Sequence, residues 1–282
     1  MRILRTLAEM HAQSEAWRRE RKRIGFVPTM GAFHEGHLSL MRQAGERCDV
    51  VVTSLFVNPA QFNEASDLAA YPRNEADDAE MAAAAGVEVL FAPTADEMYP
   101  TGFATMIAVG GLEDVLEGAM RGPQHFRGVA TVVTKLFNIV APHDAFFGQK
   151  DAQQVAVIKR MVVDLALPVE IVVCDIVRES DGLAMSSRNV RLKGEDRTRA
   201  LALWRGLQAA RSIYDRGERQ AAKISAAGRE AMMTDGIEPE YFAVVDNGNL
   251  NPLDIAGGEV LVAVAARVGP VRLIDNIVIR AS

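Results

Sequence analysis

Short runs of β-branched and aromatic residues alternate with longer helical patterns up to about residue 178, and this alternation constrains the fold more than any other feature of the chain. Strands are expected at 23–29, 49–57, 87–94, 144–149 and 169–178, and helices at 34–48, 74–86, 126–142 and 151–167. Nearly continuous Val/Ile strands separated by helices are typical of a parallel sheet covered on both faces. We therefore predict a Rossmann-like α/β domain over residues 1–177, with ligands at the carboxyl ends of its strands.

The pattern changes after residue 178. A turn-like segment leads into two helical stretches, at about 194–217 and 218–235, and three strand candidates follow at 239–246, 258–268 and 271–279. Helices followed by consecutive strands favour an α+β arrangement with a mostly antiparallel sheet. We predict a smaller C-terminal α+β domain over residues 178–282 that acts as a lid.

The bulk composition is that of a globular protein, with 49% hydrophobic and 24% charged residues. The net charge of −6 disfavours an extended nucleic-acid-binding surface but permits a local basic pocket for a small anion. The N-terminus is charged throughout, and no apolar run approaches the ~20 residues that span a bilayer. We expect a cytoplasmic protein without a membrane or nucleic-acid partner, in which Cys48 and Cys174 are buried thiols.

The stretch PTMGAFHEGHLSL, residues 28–40, follows the first predicted strand and holds two of the five histidines of the chain. A glycine-containing turn before a helix offers backbone N–H groups and a positive dipole end to a phosphate. His34 and His37 are one helical turn apart, so both can face one ligand. Two alternatives stay open at this point: a pair that only caps and packs the helix, and a zinc site, for which no nearby Cys or third His supplies a further ligand.

Three more stretches place polar residues where predicted strands or domains end. FVNPAQF carries the amides Asn58 and Gln61, which suit hydroxyls and carboxylates, although Asn-Pro alone also makes a turn. FGQKDAQQ carries Lys150 for a phosphate and Asp151, which either holds a ribose hydroxyl or caps the following helix. MSSRN offers Arg188 in a loop that either closes on a triphosphate or forms a simple Ser/Thr turn.

With these stretches in hand, the chain resembles the pantothenate synthetase (pantoate–β-alanine ligase) family over nearly its full length. The stretch at 28–40 is similar to the family's first motif, a relative of the His-x-Gly-His signature of nucleotidyltransferases. The matching stretches follow in order as FVNPAQF, YPR at 71–73, HFRGVATVV at 125–133, FGQKDAQQ, MSSRN and RLIDN at 272–276. The combination is far more specific than the His-x-Gly-His element alone.

The resemblance implies that ATP activates (R)-pantoate as pantoyl adenylate, and that β-alanine then displaces AMP to give pantothenate. Magnesium is expected to accompany the nucleotide, and Asp77 or Asp78 is its predicted contact. The resemblance also implies a homodimer. The family describes the counterpart of His37 as a proton donor, whereas an electrostatic role suffices if pyrophosphate leaves as a magnesium complex.

Site residues follow by position. The catalytic set implied by the resemblance is His37, His34, Lys150 and Arg188. Pantoate and β-alanine are expected at Gln61, Gln154 and Asn58. ATP is expected at Met30, Gly31, Ala32, Phe33, His34, Glu35, Gly36, His37, Gly148, Gln149, Lys150, Asp151, Val177, Met185, Ser186, Ser187 and Arg188.

Three positions depart from the family pattern. Phe33 stands where the family often has leucine, Gln149 replaces a residue that is usually charged, and RGPQHF at 121–126 carries one residue more than usual. Two rival functions stay open: a nucleotidyltransferase that adenylates another acid, and a nucleotide sensor that has lost the chemistry. The glutamine pair suits a hydroxy-acid pocket, which argues against the first, and the retained cationic residues argue against the second.

Overall fold

A six-stranded parallel sheet is the framework of the first of two units into which the structure divides. The computed structural model describes residues 1–62, 68–69 and 71–280, and its first unit comprises 1–148 and 157–174. The strands, in the order β1-β4-β3-β2-β5-β6 across the sheet, are β1 Arg2–Leu4, β4 Val89–Phe91, β3 Val50–Leu55, β2 Ile24–Thr29, β5 Asp144–Gly148 and β6 Glu170–Cys174. The predicted fold class is confirmed.

The strand order creates a switch point at β2. This strand pairs with β3 on one side and with β5 on the other, and every pairing in the sheet is parallel. The chain therefore leaves β2 towards one edge of the sheet and later returns to its other side. In open α/β sheets ligands bind outside the carboxyl ends of the strands at such a point, and the carboxyl end of β2 is Thr29, directly before the histidine turn.

Helices cover the sheet. α2 packs against β2 and β5, and α6 contacts both α1 and β2. Core side chains such as Phe26, Phe91 and Phe146 are fully buried. The helices are α1 Leu7–Arg19, α2 Glu35–Arg47, α3 Glu75–Ala84, α4 Ala95–Met98, α5 Glu117–Arg121, α6 Pro123–Val140 and α7 Ala152–Asp164, the last of which contains residues of both units.

Helix α1 was not among the predicted elements, because the charged N-terminus masks its pattern. A capping box starts it: the Thr6 side chain accepts from the Glu9 amide, and the Glu9 side chain accepts from the Thr6 amide. Met10, Ser14 and Trp17 lie on its buried face. The spacing Thr-x-x-Glu is the signal that would have revealed this helix.

Helix α6 starts earlier and ends earlier than its predicted range of 126–142. Gly122 has a φ of +79°, which ends α5, and Pro123 follows at the first helical position, where its missing N–H costs nothing. The helix ends at Val140 because Ala141 adopts a left-handed conformation with φ of +47°. The unusual RGPQHF stretch thus forms the junction between two helices.

The second unit comprises 149–156 and 175–282, and its strands form an antiparallel sheet in the order β7-β8-β9. Its regular elements beyond α7 are α8 Glu195–Arg199, α9 Ala202–Asp215, α10 Ala221–Thr234, β7 Pro239–Asp246, β8 Glu259–Val268 and β9 Val271–Arg280. Leu203, Leu207, Ile224, Val262 and Val264 belong to its buried core. The single helix expected at 194–217 is two helices, separated at Ala200 and Leu201.

After β6, the chain passes from the first unit to the second between Cys174 and Asp175. The domain boundary at 177/178 and the lid role of the C-terminal domain stay predictions. The strand expected at 169–178 is β6, which ends at Cys174. Among the described residues, no helix combines the length and apolar character that crossing a membrane requires.

Neither cysteine forms a disulfide. Cys174 is buried as expected, whereas Cys48 is half-buried and its Sγ lies 3.2 Å from Asp144 Oδ2. Burial, together with the neighbouring carboxylate, raises the pKa of the Cys48 thiol to about 12. Cys48 is therefore a protonated thiol at neutral pH.

Candidate active site

The turn after β2 is held by a buried carboxylate. Gly31 and Ala32 have positive φ angles of +89° and +53°, which turns the chain sharply before α2. Asp78, on α3 and 2% exposed, accepts hydrogen bonds from the amides of Ala32 at 2.9 Å and Phe33 at 2.7 Å. A side chain at Gly31 would meet the Asp78 Oδ2 atom at 2.8 Å. Glycine is therefore required there on two grounds, backbone conformation and space.

His34 is the N-cap of α2. Its Nδ1 atom accepts from the Gly36 amide at 3.1 Å. A neutral imidazole that accepts at Nδ1 carries its proton at Nε2, so the cap fixes both the ring orientation and the tautomer. His34 thus caps the helix and is a hydrogen-bond donor, two roles that the sequence presented as alternatives.

His37 lies one turn later on α2, with its ring centroid 4.2 Å from that of His34 and 5.5 Å from that of Phe33. Both histidines are half-buried at the N-terminus of a 13-residue helix. The helix dipole favours an anion at this end. The structure therefore brings together the histidine pair and the glycine turn as predicted, at the switch point of the sheet.

Asn58 is held by the protein on every side. It is 1% exposed; its Oδ1 atom accepts from the Ala60 amide at 3.2 Å and the Tyr99 hydroxyl at 2.7 Å. Its Nδ2 atom donates to the Gly128 carbonyl at 3.1 Å and to Gln61 Oε1 at 3.0 Å. These contacts use its donors and acceptors and tie Asn58 to Gln61, while the substrate contact expected for Asn58 stays a prediction.

Tyr99 was absent from the predicted site. Burial raises the pKa of its hydroxyl well above the ordinary value, so that it remains a donor to Asn58 at neutral pH. Its ring also packs against Phe56 and Phe103. The sequence carries no local signal for this contact, since the two residues that share it are 41 positions apart.

Gln61 ends the short 3-10 helix Pro59–Gln61, which packs against α6. A side chain at Gly128 would meet the Ala60 carbonyl oxygen at 2.2 Å, so only glycine permits this approach. Gln61 Nε2 lies 2.8 Å from Met30 Sδ, and the Gln61 carbonyl oxygen lies 2.8 Å from His125 Nδ1. The amide of Gln61 is thereby directed towards the histidine turn, within the same unit.

Asp77 and Asp78 do not form a metal cage. Both Asp78 oxygens accept amide hydrogen bonds of the turn, and the exposed Asp77 contacts the side chain of Asn74, which caps α3. Within residues 1–62, 68–69 and 71–280, no cluster of three or more His, Cys, Asp or Glu side chains has the geometry to hold a metal. Mg²⁺ commonly binds through one or two carboxylates and substrate phosphates, so this donor set fits only an ion that arrives with a nucleotide.

In the second unit, Lys150 lies in the 3-10 helix Gln149–Asp151 with a side chain that is 18% exposed. Its Nζ atom is 3.6 Å from Asp151 Oδ1. It lines a pocket together with Ser186 and Arg188 of the MSSRN stretch. The other residues of this pocket are Leu183, Ala184, Leu203, Arg272, Leu273, Ile274 and Asp275.

The MSSRN stretch is tied to the rest of its unit. The Met185 amide donates to the Val177 carbonyl at 3.0 Å, and Asn189 Nδ2 donates to the Ala184 carbonyl and to Glu179 Oε1, each at 3.0 Å. Ser186 Oγ accepts from the Arg188 amide at 3.3 Å, which is the Ser/Thr turn considered from the sequence. This turn starts the 3-10 helix Ser187–Arg191 and leaves Arg188 exposed.

The remaining predicted positions divide between the units. Glu35 is exposed in the first turn of α2, and Gly148 ends β5 in the first unit. Gln154 is half-buried in the first turn of α7, in the second unit, whereas Gln61 belongs to the first. Gln149 is occupied by a hydrogen bond from its Nε2 atom to Asn276 Oδ1 at 3.1 Å.

Comparison with known proteins identifies the family. The model of the pantoate-beta-alanine ligase family matches residues 2–278. The chain belongs to this family. It is 52% identical over 280 residues to a pantothenate synthetase of Heliobacterium modesticaldum, with 99% of each chain covered, and 50% identical over 284 residues to that of Thermotoga neapolitana, covering 99% of this chain and 100% of the other.

Solved structures agree with this membership. The pantothenate synthetase of Thermus thermophilus superimposes with a TM-score of 0.92 at 46% identity, covering 98% of this chain and 99% of the other. The pantoate-beta-alanine ligase of Francisella tularensis, solved as a complex with beta-gamma ATP and beta-alanine, gives 0.77 at 34% identity, covering 98% and 97%. The family and the ligase activity predicted from the motifs are confirmed.

Proposed function

We propose that this protein condenses (R)-pantoate with β-alanine at the expense of ATP and passes through pantoyl adenylate. A pantoate carboxylate oxygen bonds to the α-phosphorus of ATP and pyrophosphate leaves. The β-alanine amine then bonds to the acyl carbon, AMP leaves with the bonding electrons, and the amine loses a proton. The observation that carries this proposal is the histidine pair at the N-terminus of α2, set at the sheet's switch point.

In the first unit, we assign the phosphates of ATP to residues 30–37. Negative charge builds on phosphate oxygens as pyrophosphate departs, and preorganised donors stabilise it without reorganisation. His34 supplies a hydrogen-bond donor at Nε2, because its Nδ1 atom accepts from the Gly36 amide. His37 stands beside it and acts through charge stabilisation, because neither leaving group needs a proton from His37 if pyrophosphate leaves as a magnesium complex.

Gln61 is assigned to pantoate and β-alanine. Asn58 holds its Oε1 atom, and its Nε2 atom faces the sulfur of Met30. A thioether sulfur is a weak acceptor, so a substrate oxygen competes well for this N–H donor. A fixed amide suits the recognition of a hydroxy acid. An analogue without the hydroxyl would leave that amide without a hydrogen bond, and the cost of that loss is what rejects the analogue.

In the second unit, we assign Lys150 and Arg188 to ATP phosphates, because both line one pocket with Ser186. The residues Gly148, Gln149, Asp151, Val177, Met185 and Ser187 are proposed nucleotide contacts, and Gln154 is a proposed pantoate contact. Lys binds phosphate as a point charge, and Arg as a fork with several donors.

Magnesium is proposed as the partner of the ATP phosphates, where it would neutralise their charge; among the residues named for it, Asp77 has the more accessible carboxylate. The cytoplasmic location and the homodimer also stay proposals, the second by resemblance to the family alone.

An assay of product release tests the activity. We expect pyrophosphate release with ATP, Mg²⁺ and pantoate alone to stop after one turnover, and AMP release to require β-alanine as well. Continuous AMP release without β-alanine would contradict the two-step order. Replacing pantoate with other short acids separates this activity from that of a general adenylating enzyme, and no turnover with any acid would indicate a nucleotide sensor.

A further inference from the structure

The RLIDN stretch, residues 272–276, matches a family motif, and its last residues have no part in the function proposed above. Asn276 lies on β9 and is 2% exposed. Its Nδ2 atom donates to the carbonyl oxygens of Gln149 and Lys150, each at 3.0 Å. Its Oδ1 atom accepts from Gln149 Nε2 at 3.1 Å. One buried side chain therefore fixes the backbone on which Lys150 stands.

Asn276 is itself fixed by an ion pair. Asp275, 4% exposed, binds the Arg178 guanidinium through two oxygens at 2.7 and 2.9 Å, and its Oδ1 atom also accepts from the Asn276 amide at 2.7 Å. The Arg178 guanidinium donates to the Asn276 carbonyl at 3.3 Å and stacks on the Trp204 ring at 3.8 Å. Planar bidentate pairing of this kind fixes geometry as well as charge.

We propose that Asn276, oriented by the Arg178–Asp275 pair, is a positioning residue that holds Lys150 in place for the nucleotide phosphates. This inference rests on the proposed contact between Lys150 and ATP. Asn276 itself does not line the pocket that contains Lys150 and Arg188. It acts through the backbone of residues 149 and 150.

The physical reason is preorganisation. A lysine side chain has many rotamers and binds phosphate without directional constraint, so the position of its backbone decides where its charge lies. The 3-10 helix of three residues provides few hydrogen bonds of its own. The hydrogen bonds from the buried Asn276 amide to the two carbonyl oxygens hold this short helix instead. Small shifts of the residues that support a binding site weaken the site markedly.

The Asn276→Ala variant tests this role. We expect the KM for ATP to rise roughly tenfold, the equivalent of losing two ordinary hydrogen bonds, while the KM for pantoate stays within about twofold. Ser225→Ala is a matched control, because it also removes a partly buried hydrogen bond of this unit, from Ser225 Oγ to the Phe242 carbonyl at 2.7 Å. It should lower the melting temperature but leave the KM for ATP unchanged.

A double-mutant cycle with Lys150→Ala separates the two proposals. If Lys150 binds phosphate, Lys150→Ala alone raises the KM for ATP, and an unchanged KM refutes that contact. If Asn276 acts through Lys150, adding Asn276→Ala to Lys150→Ala changes the KM for ATP less than twofold. Equal effects of Asn276→Ala in both backgrounds would refute positioning and leave a structural role only.

A milder variant covers the case in which Asn276→Ala does not fold. Arg178→Lys keeps a positive charge beside Asp275 but removes the bidentate pairing and the hydrogen bond to the Asn276 carbonyl, at a residue that does not line the pocket of Lys150. We expect its KM for ATP to rise by roughly threefold and to do so only when Lys150 is present. A KM for ATP that matches the wild type would overturn the proposal.

Discussion

The two units hold their functional residues in different ways. In the first, the histidine pair stands at the start of α2, and the cap, the turn and the ring orientation are mostly set within residues 29–37. In the second, Lys150 is fixed by a side chain 126 residues further along the chain. The comparison shows that a local motif can carry much of a site's geometry in one unit and almost none of it in the other.

The electrostatics of the two units differ in the same sense. The first unit places its histidines at a helix end, where the dipole favours anions, and the buried Asp78 carboxylate beside them accepts hydrogen bonds from backbone amides. The second unit buries Asp275, which lines the pocket of Lys150, against Arg178. A buried ion pair is costly to break, because removing one partner leaves the other charge in a low dielectric. The second unit should therefore be the more sensitive to single substitutions at its supporting residues.

Arg178→Met should have the largest effect on stability. It leaves Asp275 buried without its partner, and we expect the free energy of unfolding to fall by about 3–5 kcal/mol. Burial raises the pKa of Asp275, and loss of Arg178 removes the main influence that lowers it. A carboxyl whose folded pKa is raised stabilises the fold below its unfolded pKa, and that contribution is lost as pH rises through the folded pKa.

The defect of Arg178→Met should therefore be smaller at pH 5 than at pH 8 in urea denaturation. Arg280→Met is the matched control, because Arg280 forms an ion pair with Glu259 on the same sheet, at 2.8 Å, with an arginine side chain 80% exposed. We expect no measurable change for this surface pair. Equal losses for the two variants would contradict the special role of the buried pair.

His37→Ala should have the largest effect on catalysis within the first unit. Removing one charge-stabilising donor lowers rates by about 10²–10³-fold, and we expect adenylate formation to fall by roughly 10²-fold without a loss of stability. Single-turnover pyrophosphate release measures this step. His11→Ala, at an exposed position of α1, is the control and should behave as the wild type. A near-normal single-turnover rate for His37→Ala would remove this residue from the mechanism.

The fold was easier to predict from the sequence in the first unit than in the second. Strands β2, β3 and β5 were found because continuous apolar runs mark buried parallel strands, and α2 because a glycine turn and apolar spacing mark its start. The break at Ala200 and Leu201, the splitting of 194–217 into two helices, has no glycine or proline to announce it. Both residues keep right-handed helical angles, and the Leu201 amide donates to the Thr198 carbonyl three residues before it, a local change of hydrogen bonding that a periodic pattern cannot show.

Candidate site residues could be proposed from the sequence where a polar side chain comes soon after a predicted strand. His34 and His37 lie in the segment that follows β2, and Lys150 lies in the segment that follows β5, which is the kind of position where ligands bind in such sheets. The supporting contacts were not predictable, because Asp78 reaches the turn across 46 residues and Asn276 reaches Lys150 across 126. The contacts of Asn58 were equally hidden, because Gly128 and Tyr99, which bond to its side chain, lie 70 and 41 residues away.

Asp78→Asn tests the long-range contact of the first unit. The amide keeps one acceptor and places an N–H group against the second backbone amide, so we expect a loss of about 2 kcal/mol in unfolding free energy. Asp77→Asn, at the exposed neighbouring position, should cost little. The Mg²⁺ dependence of activity distinguishes a structural role from a magnesium contact. A raised Mg²⁺ requirement without a loss of stability would favour a magnesium contact for the substituted residue.

Two tyrosine-to-phenylalanine variants give the smallest and most specific comparison. In the first unit, Tyr99→Phe deletes the 2.7 Å hydrogen bond to Asn58 Oδ1. We expect a loss of about 1 kcal/mol in stability. Because Asn58 orients Gln61, the KM for pantoate should rise by at most roughly fivefold, the equivalent of the same energy, while the KM for ATP stays unchanged.

In the second unit, the buried hydroxyl of Tyr214 has no hydrogen-bond partner among the described residues. Tyr214→Phe removes a polar group whose burial is uncompensated, so we expect stability to stay the same or to increase slightly. Parallel urea denaturation and pantoate titrations of both variants provide the measurement. If Tyr99→Phe also left stability and the KM for pantoate unchanged, Asn58 would orient Gln61 without help from Tyr99, and the support of the first-unit site would be more local than the contacts indicate.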